Sequence, residues 1–362
     1  MNKHLAFAIP GDIDSVTGGY AYDRHITQGL RALGWRVDLV PLGEGFPFPS
    51  PATTAETLRQ LNSLPTGMPI LIDGLASGCI PQILAPISQT HPIVTLLHHP
   101  LCMEYGLTLR EQEHLRVCET ASLQFARHLI VTSPSTANLL QDFGVHPKRI
   151  SVVLPGVSCP RSSTVEVIQD SRNTLSPQPK ATTELLSVGS LIPRKAQDLL
   201  VLALSQLTHL PWTLKIVGDL NRNPAYTRRV LELIDTHRLQ NRVHLTGVLG
   251  DEALHNLFLN ADVFVLPSLF EGYGMAFAEA MSYGLPIIGS TGGAVSQTVP
   301  PSAGVLVAPN DLPALKNALQ SVLLDHKLRA HYAAGSAQEA KQLPSWASSC
   351  AQFAQALHSC LA

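Results

Sequence analysis

Residues 261–290 read "ADVFVLPSLFEGYGMAFAEAMSYGLPIIGS". "DVFVLPS" is a continuous apolar run with the length and β-branched content of a fully buried strand. "MAFAEAMSY" sets small and apolar residues at helical spacing, and Gly284 follows it as a stop. "PIIGST" is a second buried strand. A strand, a glycine-rich turn, a helix and a strand make a βαβ unit, whose parallel strands are covered by helices. Two carboxylates interrupt the apolar pattern. Glu271 falls in the loop at the carboxyl end of the first strand, and Glu279 in the second turn of the helix. The three- and four-residue neighbours of Glu279 are Met275, Ala276, Ser282 and Tyr283, so no cation stands at helical distance. Both glutamates are therefore expected to lack a partner within the chain. A buried carboxylate in that position costs several kcal/mol unless a ligand satisfies it.

The same rhythm runs outward in both directions. "HLAFAIP", "WRVDLVPL", "PILIDG", "PIVTLLHH", "HLIVTS" and "ISVVLPG" read as strands before residue 158, and "ELLSVGSLI", "TLKIVGD", "RVHLTGV" and "GVLVAP" join the two above after it. Helical stretches separate them. The fold class is α/β, with two Rossmann-like doubly wound domains facing a central cleft. The expected division is an N-terminal domain at 1–165, a polar, proline-containing linker at 166–183, and a C-terminal domain at 184–344. The closing helix, 345–362, is expected to pack back on the N-terminal domain. In open parallel sheets ligands bind at the carboxyl ends of strands, so the loops there carry the chemistry.

Composition narrows the function. A chain of 362 residues with 45% hydrophobic and 14% charged residues has ample core. A formal net charge of -2 and the absence of polybasic runs give no pull towards nucleic acid. No apolar run is long enough to span a bilayer, and the N-terminus lacks a signal-peptide pattern. The six cysteines form no CxxC and read as reduced thiols. The expected location is the cytoplasm, or the inner face of the membrane as a peripheral protein.

Around Glu271 the backbone N–H groups of Gly272, Tyr273, Gly274 and Met275 stand at a helix start, which is a natural anion site. "LLSVGSLIPRKAQDLL" places Arg194 and Lys195 at another helix start. Two cations there oppose the helix dipole, and a bound diphosphate would reverse the sign. "IPGDIDSVTGGYAYDRHI" sets Gly18 and Gly19 just before a helix, without the G-x-G-x-x-G of a nicotinamide site. Asp12 and Asp14 make a D-x-D, read as a loop feature. His98 and His99 end a strand. Adjacent strand residues point to opposite sides, and no third ligand stands at zinc spacing, so no metal site is expected there.

"PSLFEGYGMAFAEAMSYGLPII" resembles the E-x7-E segment of retaining GT-B glycosyltransferases, in particular glycosyltransferase family 4 (glycosyl transferases group 1). The resemblance is dense from residue 185 to 310 and patchy before it. It implies that Glu271 contacts donor-sugar hydroxyls, that Gly272, Tyr273, Gly274 and Met275 hold sugar and phosphate oxygens, and that Glu279 grips the ribose diol. Gly189, Lys195 and Ala196 match the family's G-x-L-x-x-x-K-[GA] segment. Lys195, and Arg194 after it, then bind the diphosphate, although Ser190 stands where many members have arginine. Gly18 and Gly19 match the N-terminal glycine loop. His98, or His99 in its place, matches a histidine near the reacting centre. Gly218 and Val248 lie where the family walls the base.

The implied activity is transfer of a hexose from a UDP- or GDP-linked sugar, with retention, to a hydroxyl of a glycan, a lipid-linked or a small-molecule acceptor. No metal and no cofactor beyond the donor are expected, and the oligomeric state is not legible. The alternatives are a GT-B nucleotide-sugar epimerase and an inactive nucleotide-sugar-binding protein.

Overall fold

A computed structural model describes residues 3–158 and 182–361. The linker expected at 166–183 falls almost wholly outside them. The chain divides into two compact units, one formed by Met1–Gly156 with Pro344–Ala362 and the other by Val157–Leu343.

The first unit holds strands β1 (His4–Ile9), β2 (Arg36–Pro41), β3 (Ile70–Asp73), β4 (Ile93–Leu97), β5 (His128–Val131) and β6 (Ile150–Val152). They form one parallel sheet in the order β2-β1-β3-β4-β5-β6. The central strands are apolar throughout, because both faces of a parallel sheet are covered. The chain changes direction across the sheet between β1 and β3, and the carboxyl ends of these strands flank that reversal.

The helix Gly18–Ala32 follows β1, with Thr17 as its cap: the Thr17 hydroxyl accepts from Tyr20 N–H. Gly18 and Gly19 are thus the first two helical residues rather than a loop before the helix. The last helix, Trp346–Leu361, lies against this one. Trp346 stacks on His25 at 3.9 Å, and Phe353 is fully buried beside Tyr22. The approach is close: a Cβ on Gly29 would stand 2.1 Å from Cys350 Sγ.

The second unit holds β7 (Thr183–Val188), β8 (Trp212–Val217), β9 (Val243–Gly247), β10 (Val263–Leu266), β11 (Ile287–Ser290) and β12 (Gly304–Val307). Their order is β12-β11-β10-β7-β8-β9, all parallel. Alternate residues feed two cores. Leu185, Leu214, Val263, Val265 and Ile288 join one, and Leu186, Val217, Phe264, Leu266 and Ile287 the other. The reversal point lies between β7 and β10, so the loops after Val188 and Leu266 meet there.

Candidate active site

The loop after β7 makes a short 3-10 turn, Pro193–Lys195, and passes through Ala196 in the left-handed conformation (φ 52°) into the helix Gln197–Ser205. Such a φ is strained for a residue with a Cβ. It turns Arg194 and Lys195 back towards the loop after β10. Lys195 Nζ donates to Glu271 Oε1 at 2.6 Å, and Arg194 Nη1 to Glu271 Oε2 at 3.3 Å. Arg194 also donates to the Phe270 carbonyl at 2.8 Å, and Leu269 N–H to the Arg194 carbonyl at 2.7 Å. Glu271 is 7% exposed.

The expectation of an unpartnered Glu271 is therefore corrected. Its partners come from 76 and 77 positions upstream, beyond any helical-distance search. The two cations likewise sit in a turn ahead of the helix and already face a carboxylate. Burial alone would raise the Glu271 pKa. Lys195 and Arg194 outweigh it and hold the group at about 2, with the hydrogen bond from Lys195 adding to the effect.

Glycines make this packing possible. A Cβ on Gly189 would meet the Lys195 stem at 3.2 Å, and one on Gly218 would stand 2.2 Å from the Gly189 carbonyl. The buried Gln197 amide donates to the carbonyls of Gly189 and Ser190, bracing the same loop. On the other side Glu271 bridges to Gly293, and Ala294 N–H donates to the Glu271 carbonyl at 2.8 Å. Cβ atoms on Gly292 and Gly293 would stand 2.2 Å from the carbonyls of Leu269 and Glu271.

Gly274 (φ 96°) opens the helix Met275–Ser282, which has no side-chain cap and no acidic residue in its first turn. A Cβ there would strike Phe277 at 2.8 Å. The first amides of this helix are thus left to a ligand or to water. Glu279 lies one turn further on, half-buried. Among the described residues its carboxylate has no hydrogen-bond or ion-pair partner. Burial, and then the charge of Asp251, push its pKa up to about 7. Tyr273 is buried, with its carbonyl held by the Thr298 hydroxyl at 2.6 Å. Val248 follows β9 just after Gly247 (φ 73°) and is 48% exposed.

In the first unit the two histidines stand in a bend just past β4 rather than in the strand itself, and their side chains diverge. His99 Nε2 lies 3.1 Å from Glu104 Oε2. His98 Nε2 lies 3.2 Å from Asp23 Oδ1 and 3.6 Å from Asp73 Oδ2. Asp23 comes from the helix Gly18–Ala32 and Asp73 from the end of β3. Both are buried, whereas the His98 side chain is 21% exposed. The hydroxyls of Thr132 and Thr136 each donate to the His98 carbonyl at 3.3 Å. Ser133 caps the helix Pro134–Leu139, as a Ser-Pro at a helix start suggests. Gly19 lies against the imidazole, where a Cβ would come within 3.3 Å of Cδ2.

Burial opposes the charge on His98, but Asp23 and Asp73 prevail and raise its pKa. Burial raises the pKa of Asp23, against the pull of His98 and with the help of Asp73. Sequence reasoning missed both aspartates. It also counted only near neighbours when it set a metal aside at His98. The ligand-capable atoms of Asp23, Asp73 and His98 all lie within 4.8 Å of one another. Asp12 and Asp14 form a local turn, with Asp14 N–H donating to Asp12 Oδ1 at 2.9 Å.

Two doubly wound parallel units, with an uncapped helix start and a charged group at the reversal point of the second, define the GT-B architecture. Solved structures agree: sucrose-phosphate synthase from Thermosynechococcus elongatus matches with TM-score 0.79 and 22% identity over 98% of each chain. A HepE protein from Anabaena, determined with UDP and glucose, matches with TM-score 0.73 and 19% identity over 98% of this chain and 100% of that one.

The sequence profile described as "Glycosyl transferases group 1" matches residues 171–339, and that described as "Glycosyltransferase Family 4" matches residues 18–161. The chain belongs to the family 4 glycosyltransferases. Among curated relatives, the MMP alpha-(1->4)-mannosyltransferase of Mycolicibacterium hassiacum is 26% identical over 277 residues, 72% of this chain and 64% of that protein. A GDP-mannose-dependent monoacylated alpha-(1-6)-phosphatidylinositol monomannoside mannosyltransferase of Corynebacterium glutamicum is 33% identical over 175 residues, 46% of this chain and 44% of that protein. The chain thus spans less than two thirds of these relatives' length. Among the described residues no helix is long and apolar enough to cross a membrane.

Proposed function

We propose that the protein transfers a hexose from a UDP- or GDP-linked sugar to a hydroxyl acceptor, with retention at the anomeric carbon and without a metal ion. The observation that carries this reading is Glu279: a half-buried carboxylate without a partner among the described residues, one turn from an uncapped helix start. A ribose diol supplies the two donors it lacks. The amides of Gly272, Tyr273, Gly274 and Met275 take sugar and phosphate oxygens.

Arg194 and Lys195 receive the diphosphate and stabilise the charge that develops on it as it leaves. Glu271 accepts hydrogen bonds from sugar hydroxyls. With a pKa of about 2 it is a poor proton acceptor at neutral pH, which suits an orienting role better than that of a base. The bond from the anomeric carbon to the phosphate oxygen breaks, and the bond to the acceptor oxygen forms on the same face. The acceptor's proton passes to the leaving phosphate oxygen. His98 donates a hydrogen bond to a sugar oxygen. The acceptor is a glycan, a lipid-linked saccharide or a small polyol. The names of the curated relatives put GDP-mannose first among donors to test.

Calorimetric titration with GDP-mannose, UDP-glucose and UDP-N-acetylglucosamine tests the reading. One donor should bind, and EDTA should leave that binding unchanged. Failure of every nucleotide sugar to bind would refute it.

A further inference from the structure

The Asp23–Asp73–His98 group has no place in the scheme above beyond the histidine itself, yet it sets two buried carboxylates beside one imidazole. His98 is held on its inner side. Its carbonyl is held by two threonine hydroxyls, its Cδ2 edge lies on Gly19, and the Tyr22 ring meets it edge-on at 5.5 Å. The groups facing it are Tyr22 and Asp23 from one helix and Asp73 from β3. Cys350, from the last helix, borders Tyr22. His99 is turned away to Glu104.

Nε2 is the inward nitrogen, and it can only donate to the carboxylates it faces. Two ionised aspartates beside a neutral ring would bury two uncompensated charges. Asp23 Oδ2 is buried with no hydrogen-bond partner, so a charge on Asp23 is tolerated there only beside a cation. A cationic ring bonded to Asp23 leaves less uncompensated buried charge than a neutral ring between the two aspartates. The outward nitrogen, Nδ1, then also carries a proton.

We propose that Asp23 and Asp73 are positioning residues for the transfer reaction: they anchor the Nε2–H of His98, keep the ring cationic at neutral pH, and present Nδ1–H as the donor to a substrate oxygen. The idea rests on the role given to His98 above. The raised pKa of His98 agrees with it.

The test is long-range 1H–15N correlation NMR of His98, assigned by its loss in His98→Gln, between pH 6 and 9. Wild type should show both ring nitrogens protonated to above pH 8. In Asp23→Asn, His98 should titrate at or below its ordinary range near 6.5. Transfer by Asp23→Asn should then fall at least tenfold more at pH 8 than at pH 6, with the donor KM changed less than twofold. Asp73→Asn should move both readouts in the same direction by a smaller amount, and serves if Asp23→Asn does not fold. A merely structural role would lower activity equally at both pH values. A neutral His98 in wild type at pH 7, or one stoichiometric divalent ion in the protein as purified, would overturn the inference. Full activity in His98→Ala would instead defeat the role given to His98 and leave the NMR result standing.

Discussion

Replacing Glu279 by glutamine should move stability and ligand binding in opposite directions. Burial and Asp251 raise the Glu279 pKa from 4.5 to about 7. Between those values the folded unit holds a proton that the unfolded chain has lost. The contribution is fully present below about pH 4.5 and disappears as pH rises through 7. Each tenfold change in proton affinity is about 1.4 kcal/mol, so the ionised group costs the fold at most about 3 kcal/mol at alkaline pH. Contact with water at its exposed edge reduces this to about 1–3 kcal/mol. Glutamine keeps the shape and removes the titration. Glu279→Gln should therefore be more stable than wild type at pH 8.5 and close to it at pH 5. The assay is urea unfolding followed through Trp212, which is fully buried in the second unit's core.

Nucleotide binding should go the other way. Two hydroxyls donating to a carboxylate exceed two donating to an amide by about 1.5–3 kcal/mol, or roughly 10- to 150-fold in Kd. Since the ligand favours the ionised form, wild-type affinity should rise from pH 6 to 8, with release of up to one proton per ligand in calorimetry. The variant should lose that pH dependence. Equal affinity in the two proteins, or a variant less stable at pH 8.5, would refute the assignment.

Other perturbations follow the same geometry. Lys195→Met leaves Glu271 with only Arg194. It should destabilise the second unit by about 3–5 kcal/mol, as breaking a buried pair does, measured by urea unfolding at pH 7. Glu271 is held at about 2, so its contribution is present above about pH 4.5 and is lost as pH falls towards 2. Lys195→Met should flatten that acid limb of the stability profile. Gly293→Ala would place a Cβ 2.2 Å from the Glu271 carbonyl. It should abolish donor binding in calorimetry while the far-UV spectrum stays that of the wild type. Gly29→Ala improves helix propensity by about 1 kcal/mol, yet it should lower stability because its Cβ meets Cys350. Cys350→Gly in the same chain should recover part of the loss in thermal unfolding, and a Gly29→Ala protein as stable as wild type would contradict the packing.

All twelve strands of the described residues were legible, because buried parallel strands are short apolar runs bounded by glycine and proline. Their order was not. Nothing in "TELLSV" or "DVFVLPS" says that they pair with each other, since pairing depends on the register and crossover of whole βαβ units. The site divides in the same way. Glu279 was readable as partnerless because helical neighbours are fixed by periodicity, and among the described residues no distant one bonds to its carboxylate. Glu271 was misjudged because its partners arrive through the β7–β10 pairing. Asp23 did leave a signal. It falls at i relative to Ile26, Thr27 and Leu30, on the buried stripe of its helix. Asp73 ends a strand that is buried at every position. A charge on an apolar stripe is the mark that could have found both.

The closing helix carries a consequence for synthesis. Trp346–Leu361 completes the unit that begins the chain, so the second unit is an insertion within the first. As the polypeptide leaves the ribosome, the second unit has its whole sequence while the first still lacks a wall against Tyr22 and His25. The first unit to start is thus the last to finish. A stop codon at Trp346 should unseat the helix that carries Asp23, a defect more than 300 residues away from the lesion.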